Sequence, residues 1–128
     1  PVSPSVGTRL PAHVVSMGRV LLAALDDAAL DEYLTQAPLK RRTNATLVDR
    51  PRLREEILLA REQGWAWVDG ELDESICGLA VPVRNAEGDT IAAINVSLPT
   101  GTFTRERALA EFLSGLRLAA SRLRASMS

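Results

Sequence analysis

Residues 65–99 read WAWVDGELDESICGLAVPVRNAEGDTIAAINVSLP, three strand-forming segments separated by turns. Before Gly64 the apolar residues recur at helical spacing; after it the period changes. WAWVDG predicts a short strand, with Trp65, Trp67 and Val68 as strand formers. LDESICGLAVPV leads into a second strand. NAEGD is a hairpin turn, and TIAAINVSLP is a third strand. Consecutive strands of this kind pair antiparallel.

Working outward, RPRLREEILLAREQG reads as the clearest helix. Asp49 stands just before it, Pro51 suits its first turn, and Gly64 suits its C-terminal cap. Leu53, Ile57, Leu58 and Arg61 share one face. Further back, SMGRVLLAAL predicts a helix over 16–25, with Ser16 as its N-cap and Met17, Val20, Leu21 and Ala24 as its apolar stripe. DDAALDEYLTQ predicts a short helix capped by Asp26 and stopped by Pro38. PLKRRTNATL is a polar, basic connection. Residues 1–10, rich in Pro, Gly and Ser, predict an extended segment with one edge strand. From Thr104 the tail is helical, with Leu109, Phe112, Leu113, Leu116 and Leu123 as its stripe. Helices, then consecutive strands, then a helix make an α+β pattern with an antiparallel sheet.

Composition narrows the function. A chain of 128 residues with 46% hydrophobic and 24% charged residues suits one globular domain, and not two. One cysteine excludes an intrachain disulfide and favours a cytoplasmic setting. One His and one Cys exclude a Cys/His zinc site. No apolar run is long enough to span a membrane. A net charge of −1 argues against nucleic-acid binding by this segment alone. The start at Pro1 suggests a domain whose N-terminal part is missing. No GxGxxG or P-loop motif is present, so no cofactor is expected.

The chemistry-bearing residues are few. His13 and Cys77 could form a nucleophile–base pair, but a lone strand cysteine is more often a small buried hydrophobe. The acidic run Asp69, Glu71, Asp73, Glu74 lacks calcium-loop spacing and reads as a solvated turn. Asp69 differs, since it closes the first strand. The basic residues Lys40, Arg41, Arg42, Arg50, Arg52 and Arg54 read as a solvated face. Asn95 and Ser97 lie two apart on a strand and share a face, which Ala93 extends. Ile94, Val96 and Leu98 take the other face. A small, polar strand face either meets solvent or lines a pocket for a polar ligand.

TRLPAHVVSMGRVLLAAL resembles the opening of the effector-binding domain of IclR-type transcriptional regulators. The resemblance runs through PLKRRTNATLVDRPRLREEILLAREQGWAWVDGEL and resumes in GLAVPVRNAEGDTIAAINVSLP, in order and spacing. PVSPSVGTRLPAHVVSMGRVLLA, together with Asn95, looks closest to the branch that controls aromatic-acid breakdown through the β-ketoadipate pathway. The resemblance implies a GAF-like fold: a curved antiparallel sheet, helices packed on one side, and a pocket in the concave face. It implies a dimer or tetramer, and operator DNA bound through an N-terminal winged helix-turn-helix domain absent here. It implies a small organic acid as effector, bound without being transformed.

Carried over by position, the ligand-binding residues are Ser16 and Met17 before the first helix, Asp69, Gly78, Asn95 and Ser97. Backbone N–H groups at Ser16 and Met17 suit a carboxylate. Leu79 and Val81 are expected to wall the pocket. Where the family has Cys or Ser before its Ala-Pro-Val hairpin, this chain has Gly78, with Cys77 one residue early. That shift turns Cys77 away from the pocket and lets Gly78 enlarge it. Two other readings stay open: a dimerisation module with an empty pocket, and a Cys77/His13 hydrolase.

Overall fold

A computed structural model describes residues 11–127; the edge strand expected in 1–10 lies outside them. The described residues open with a 3-10 turn (Ala12–Val14) and continue through α1 (Ser16–Ala23), α2 (Asp27–Gln36), α3 (Arg50–Gln63), β1 (Ala66–Asp69), β2 (Ile76–Arg84), β3 (Thr90–Pro99) and α4 (Arg105–Met127). Local chemistry sets the boundaries. Asp26 accepts from Ala29 N and Asp49 from Arg52 N, capping α2 and α3. Gly64 ends α3 at φ +78°, a left-handed conformation that glycine adopts without a Cβ clash. Asn85 Oδ1 accepts from Glu87 N and Asp89 N and so closes the β2–β3 hairpin.

The described strands form one antiparallel sheet in the order β1-β2-β3. Val68 pairs with Gly78, and Gly78 with Ser97; Ala66 pairs with Ala80, and Ala80 with Asn95. Cross-strand partners point to the same face, so these six share one face with Ala93. Trp67, Leu79 and Val96 form a row on the opposite face, as do Asp69, Cys77 and Leu98.

Helices cover both faces, rather than one as the resemblance implied. The α1, α2 and α3 side chains Val20, Ala23, Leu30, Leu34, Leu53 and Ile57 pack with Ala66 and Ala80 on the first face. On the second, α4 packs against Cys77 and Leu98 through Ala108 and Phe112, and against Val81 and Val83 through Leu113, Leu116 and Ala120. The α4 stripe stops there, and Leu123 is exposed. No helix among the described residues is long and apolar enough to cross a membrane.

The buried face of α1 differs from the expected stripe. Met17 and Leu21 are exposed, while Ser16, Arg19, Val20 and Ala23 are buried. These four also stand at i, i+3, i+4 and i+7. Two of them are polar, so a search for apolar periodicity selects the wrong side of the helix.

Candidate ligand-binding site

The N-terminus of α1 lies over the small-residue face of the sheet. Ser16 is the first helical residue and not the cap; Val15 holds the cap position with no side-chain bond. The Ser16 side chain turns inward against Gly78. A Cβ built on Gly78 would stand 2.8 Å from Ser16 Oγ, inside van der Waals contact. Gly78 therefore brings the helix close to the strand instead of widening the site. Ser16 is 4% exposed, and its hydroxyl has no hydrogen-bond partner among the described residues.

A cavity of about 380 Å³ opens at this junction. Val14, Val15, Ser16 and Met17 line it from the start of α1, and Val68, Gly78, Asn95 and Ser97 line it from one face of the sheet. Asn95 Nδ2 donates to Ser97 Oγ at 3.2 Å, as their shared face predicts. Five of the six expected residues, Ser16, Met17, Gly78, Asn95 and Ser97, thus meet around one cavity. Asp69 does not. It pairs with Cys77, shares that residue's face, is exposed, and accepts from Thr100 Oγ1 at 3.4 Å. Val68, one residue earlier, is the β1 residue that faces the cavity. The same alternation places Leu79 and Val81 on the α4 face, away from the site.

Glu71 is the acidic residue that sequence reasoning misplaced. It is buried, whereas the run around it was expected in solvent. Arg19 Nη2 donates to Glu71 Oε1 at 2.6 Å, and Leu47 N to the same oxygen at 2.9 Å. Arg19 Nε also donates to His13 O, 2.9 Å away. Thr43 and Thr46 clamp the same loop through their hydroxyls, to Gly70 O at 2.6 Å and Glu71 O at 2.7 Å. These contacts tie the segment before α1 to the loop after β1. In sequence they span 24 to 52 positions. The only local signal is a charged residue, Arg19, inside an apolar helix. Of the basic cluster, Arg41, Arg42, Arg50 and Arg52 are exposed, as a solvated face requires.

His13 and Cys77 are not arranged for nucleophilic catalysis. Cys77 lies on the α4 face, and its thiol donates to Leu98 O at 3.4 Å. Burial, and then the charge of Asp69, push its pKa up and disfavour the thiolate. His13 precedes α1 on the opposite side of the sheet, buried beside Tyr33, with Nε2 unbonded. Burial, then Arg19 and Arg42, lower its pKa and keep the ring neutral. The concavity there is larger, about 670 Å³, but it is a more open groove, lined by His13, Glu32, Tyr33, Gln36 and Arg42 among apolar residues.

The family model described as bacterial transcriptional regulator IclR C-terminal matches residues 2–125. This chain belongs to that family. A Pca regulon regulatory protein of Pseudomonas putida is 51% identical over 118 residues, covering 92% of this chain and 40% of the relative. Among solved structures, a transcriptional regulator from Rhodococcus sp. RHA1 superposes with a TM-score of 0.94 at 38% identity, covering 98% of this chain and 51% of that one. A double mutant of the PobR inducer-binding domain from Acinetobacter, solved with 3-hydroxybenzoic acid, gives 0.88 at 36% identity, covering 96% and 72%. The resemblance to regulators in the aromatic-acid branch is thereby matched. The IclR family is one of transcriptional regulators and not of enzymes, which removes the hydrolase reading. The chain spans less than half the length of the Pseudomonas relative.

Proposed function

We propose that this IclR-type domain senses a small organic acid, most compatibly an aromatic one, and binds it unchanged. The observation that carries the reading is the buried, unpartnered Ser16 hydroxyl, set at a helix N-terminus on the same cavity as Asn95 and Ser97. The first-turn N–H groups of α1, including those of Ser16 and Met17, have no intrahelical acceptor and suit a carboxylate. Asn95 and Ser97 supply donors and acceptors for polar substituents. The apolar side chains of Val14, Val15, Val68 and Ile76 give a ring a dry wall. The complex of the PobR domain with 3-hydroxybenzoic acid supports an aromatic acid as the ligand class.

Regulation then follows by population shift. The ligand favours one arrangement of the full-length protein by its differential affinity, and no more. In this proposal the domain self-associates as a dimer or tetramer. Operator DNA is held by a winged helix-turn-helix domain outside these residues.

A thermal-shift screen against 3- and 4-hydroxybenzoate, protocatechuate, β-ketoadipate and pyruvate tests the reading. A ligand that binds only the folded state stabilises it by about 2.7 kcal/mol at one hundred times its Kd. One or more acids should raise Tm, and Asn95→Ala or Ser97→Ala should remove most of that rise with little change in the ligand-free Tm. Flat curves at millimolar acid, with an assembly that persists on dilution, would favour a dimerisation module instead.

A further inference from the structure

The described residues lining the cavity include two carboxylates, Glu71 and Asp73, and no Lys, Arg or His. Asp73 Oδ1 is engaged by Ser75 N at 2.8 Å and Ser75 Oγ at 2.6 Å. Glu71 is held differently. Its Oε1 takes both bonds, from Arg19 and from Leu47. Its Oε2 has no donor among the described residues, and it is not fully enclosed, since His13 Nε2 is the only enclosed unbonded side-chain atom among them; Glu71 itself lines the cavity. A carboxylate can accept at about four sites. A half-filled carboxylate on a side chain only 10% exposed is a strong acceptor waiting for a donor.

Two walls of the cavity therefore make opposite demands. The N-terminus of α1 favours negative charge. Glu71 opposes it and favours an O–H or N–H. We propose that Glu71 is a specificity-determining residue that accepts a hydrogen bond from the ligand, so that the site selects hydroxyl-bearing acids over acids with no second donor. The inference rests on the organic-acid reading of this cavity and adds the polarity of the ligand's second group. Glu71 is placed for the role by its neighbours. Arg19 fixes its side chain relative to Ser16 one turn earlier on α1, and Thr46 fixes its carbonyl. A second carboxylate in that position would meet like charge at close range.

The test is isothermal titration of the chain with 3- and 4-hydroxybenzoate, each against the matching fluorobenzoate, which keeps a small polar substituent but cannot donate. At least one hydroxybenzoate should bind about tenfold or more tightly than its fluoro analogue, the usual range for a hydrogen bond to a charged group. Glu71→Gln keeps an acceptor for Arg19 but removes the charge, and should shrink that ratio to about threefold or less. If Glu71→Gln fails to fold, Glu71→Asp withdraws the carboxylate by one methylene and should shrink the ratio likewise. Equal affinity for hydroxy and fluoro acids in the unaltered chain would overturn the inference, as would a ratio that survives in a folded Glu71 variant. If no acid in the set binds, the organic-acid reading itself fails and takes the inference with it.

Discussion

The two faces of one short sheet do different work in this domain. Under α4, Cys77, Val81, Val83, Leu98 and Ala108 pack without polar side chains between them. Under α1, the same three strands present Val68, Gly78, Asn95 and Ser97, and a cavity opens among them. The strands are shared, so the division comes only from period-two alternation. Odd positions of β2 pack under α4; of the even positions, Ile76 and Gly78 line the cavity while Ala80 packs in the core with α1 and α3. A residue can thus be moved from structure to binding by a single step along the strand.

That division can be broken from either side. The largest effect should come from Arg19→Met, which leaves Glu71 buried without its cation. Removing one partner of a buried pair typically costs about 3–5 kcal/mol, and urea denaturation should show a loss of that order. Leu79→Ala tests the other face. Leu79 is fully buried, and such truncations cost about 2–5 kcal/mol. It should lower stability while leaving the ligand affinity of the remaining folded protein within about twofold. Gly78→Ala comes next, at about 1–3 kcal/mol, because the new methyl meets Ser16 Oγ. Adding Ser16→Gly should recover most of that loss, a coupling that a double-mutant cycle would measure.

The smallest effect is a pH dependence. Burial holds the pKa of His13 below its ordinary 6.5, so the unfolded chain binds more protons there. This contribution is present above about pH 6.5 and is lost as pH falls toward the folded-state pKa. Urea midpoints should fall between neutral pH and about pH 5, less steeply in His13→Gln.

Much of the α1 face was legible in the sequence. Asn95 and Ser97 announce their shared orientation by their spacing, and the hairpin at 85–89 sets the register that brings Ser97 opposite Gly78. The family resemblance supplied Ser16 and Met17. Errors arose wherever one residue changes the face. Asp69, Leu79 and Val81 were expected at the pocket and lie on the α4 side, because nothing in their local sequence marks which alternation faces inward. The Arg19–Glu71 pair was missed for another reason. Its residues are 52 positions apart, and no periodicity connects them.

The most direct test of the two-face account is an amide chemical-shift map of the domain titrated with 4-hydroxybenzoate. The account predicts the largest shifts at Ser16, Met17, Gly78, Asn95 and Ser97, with little change along α4. Shifts concentrated on α4 and on Val81 and Val83, with those five amides unmoved, would contradict it.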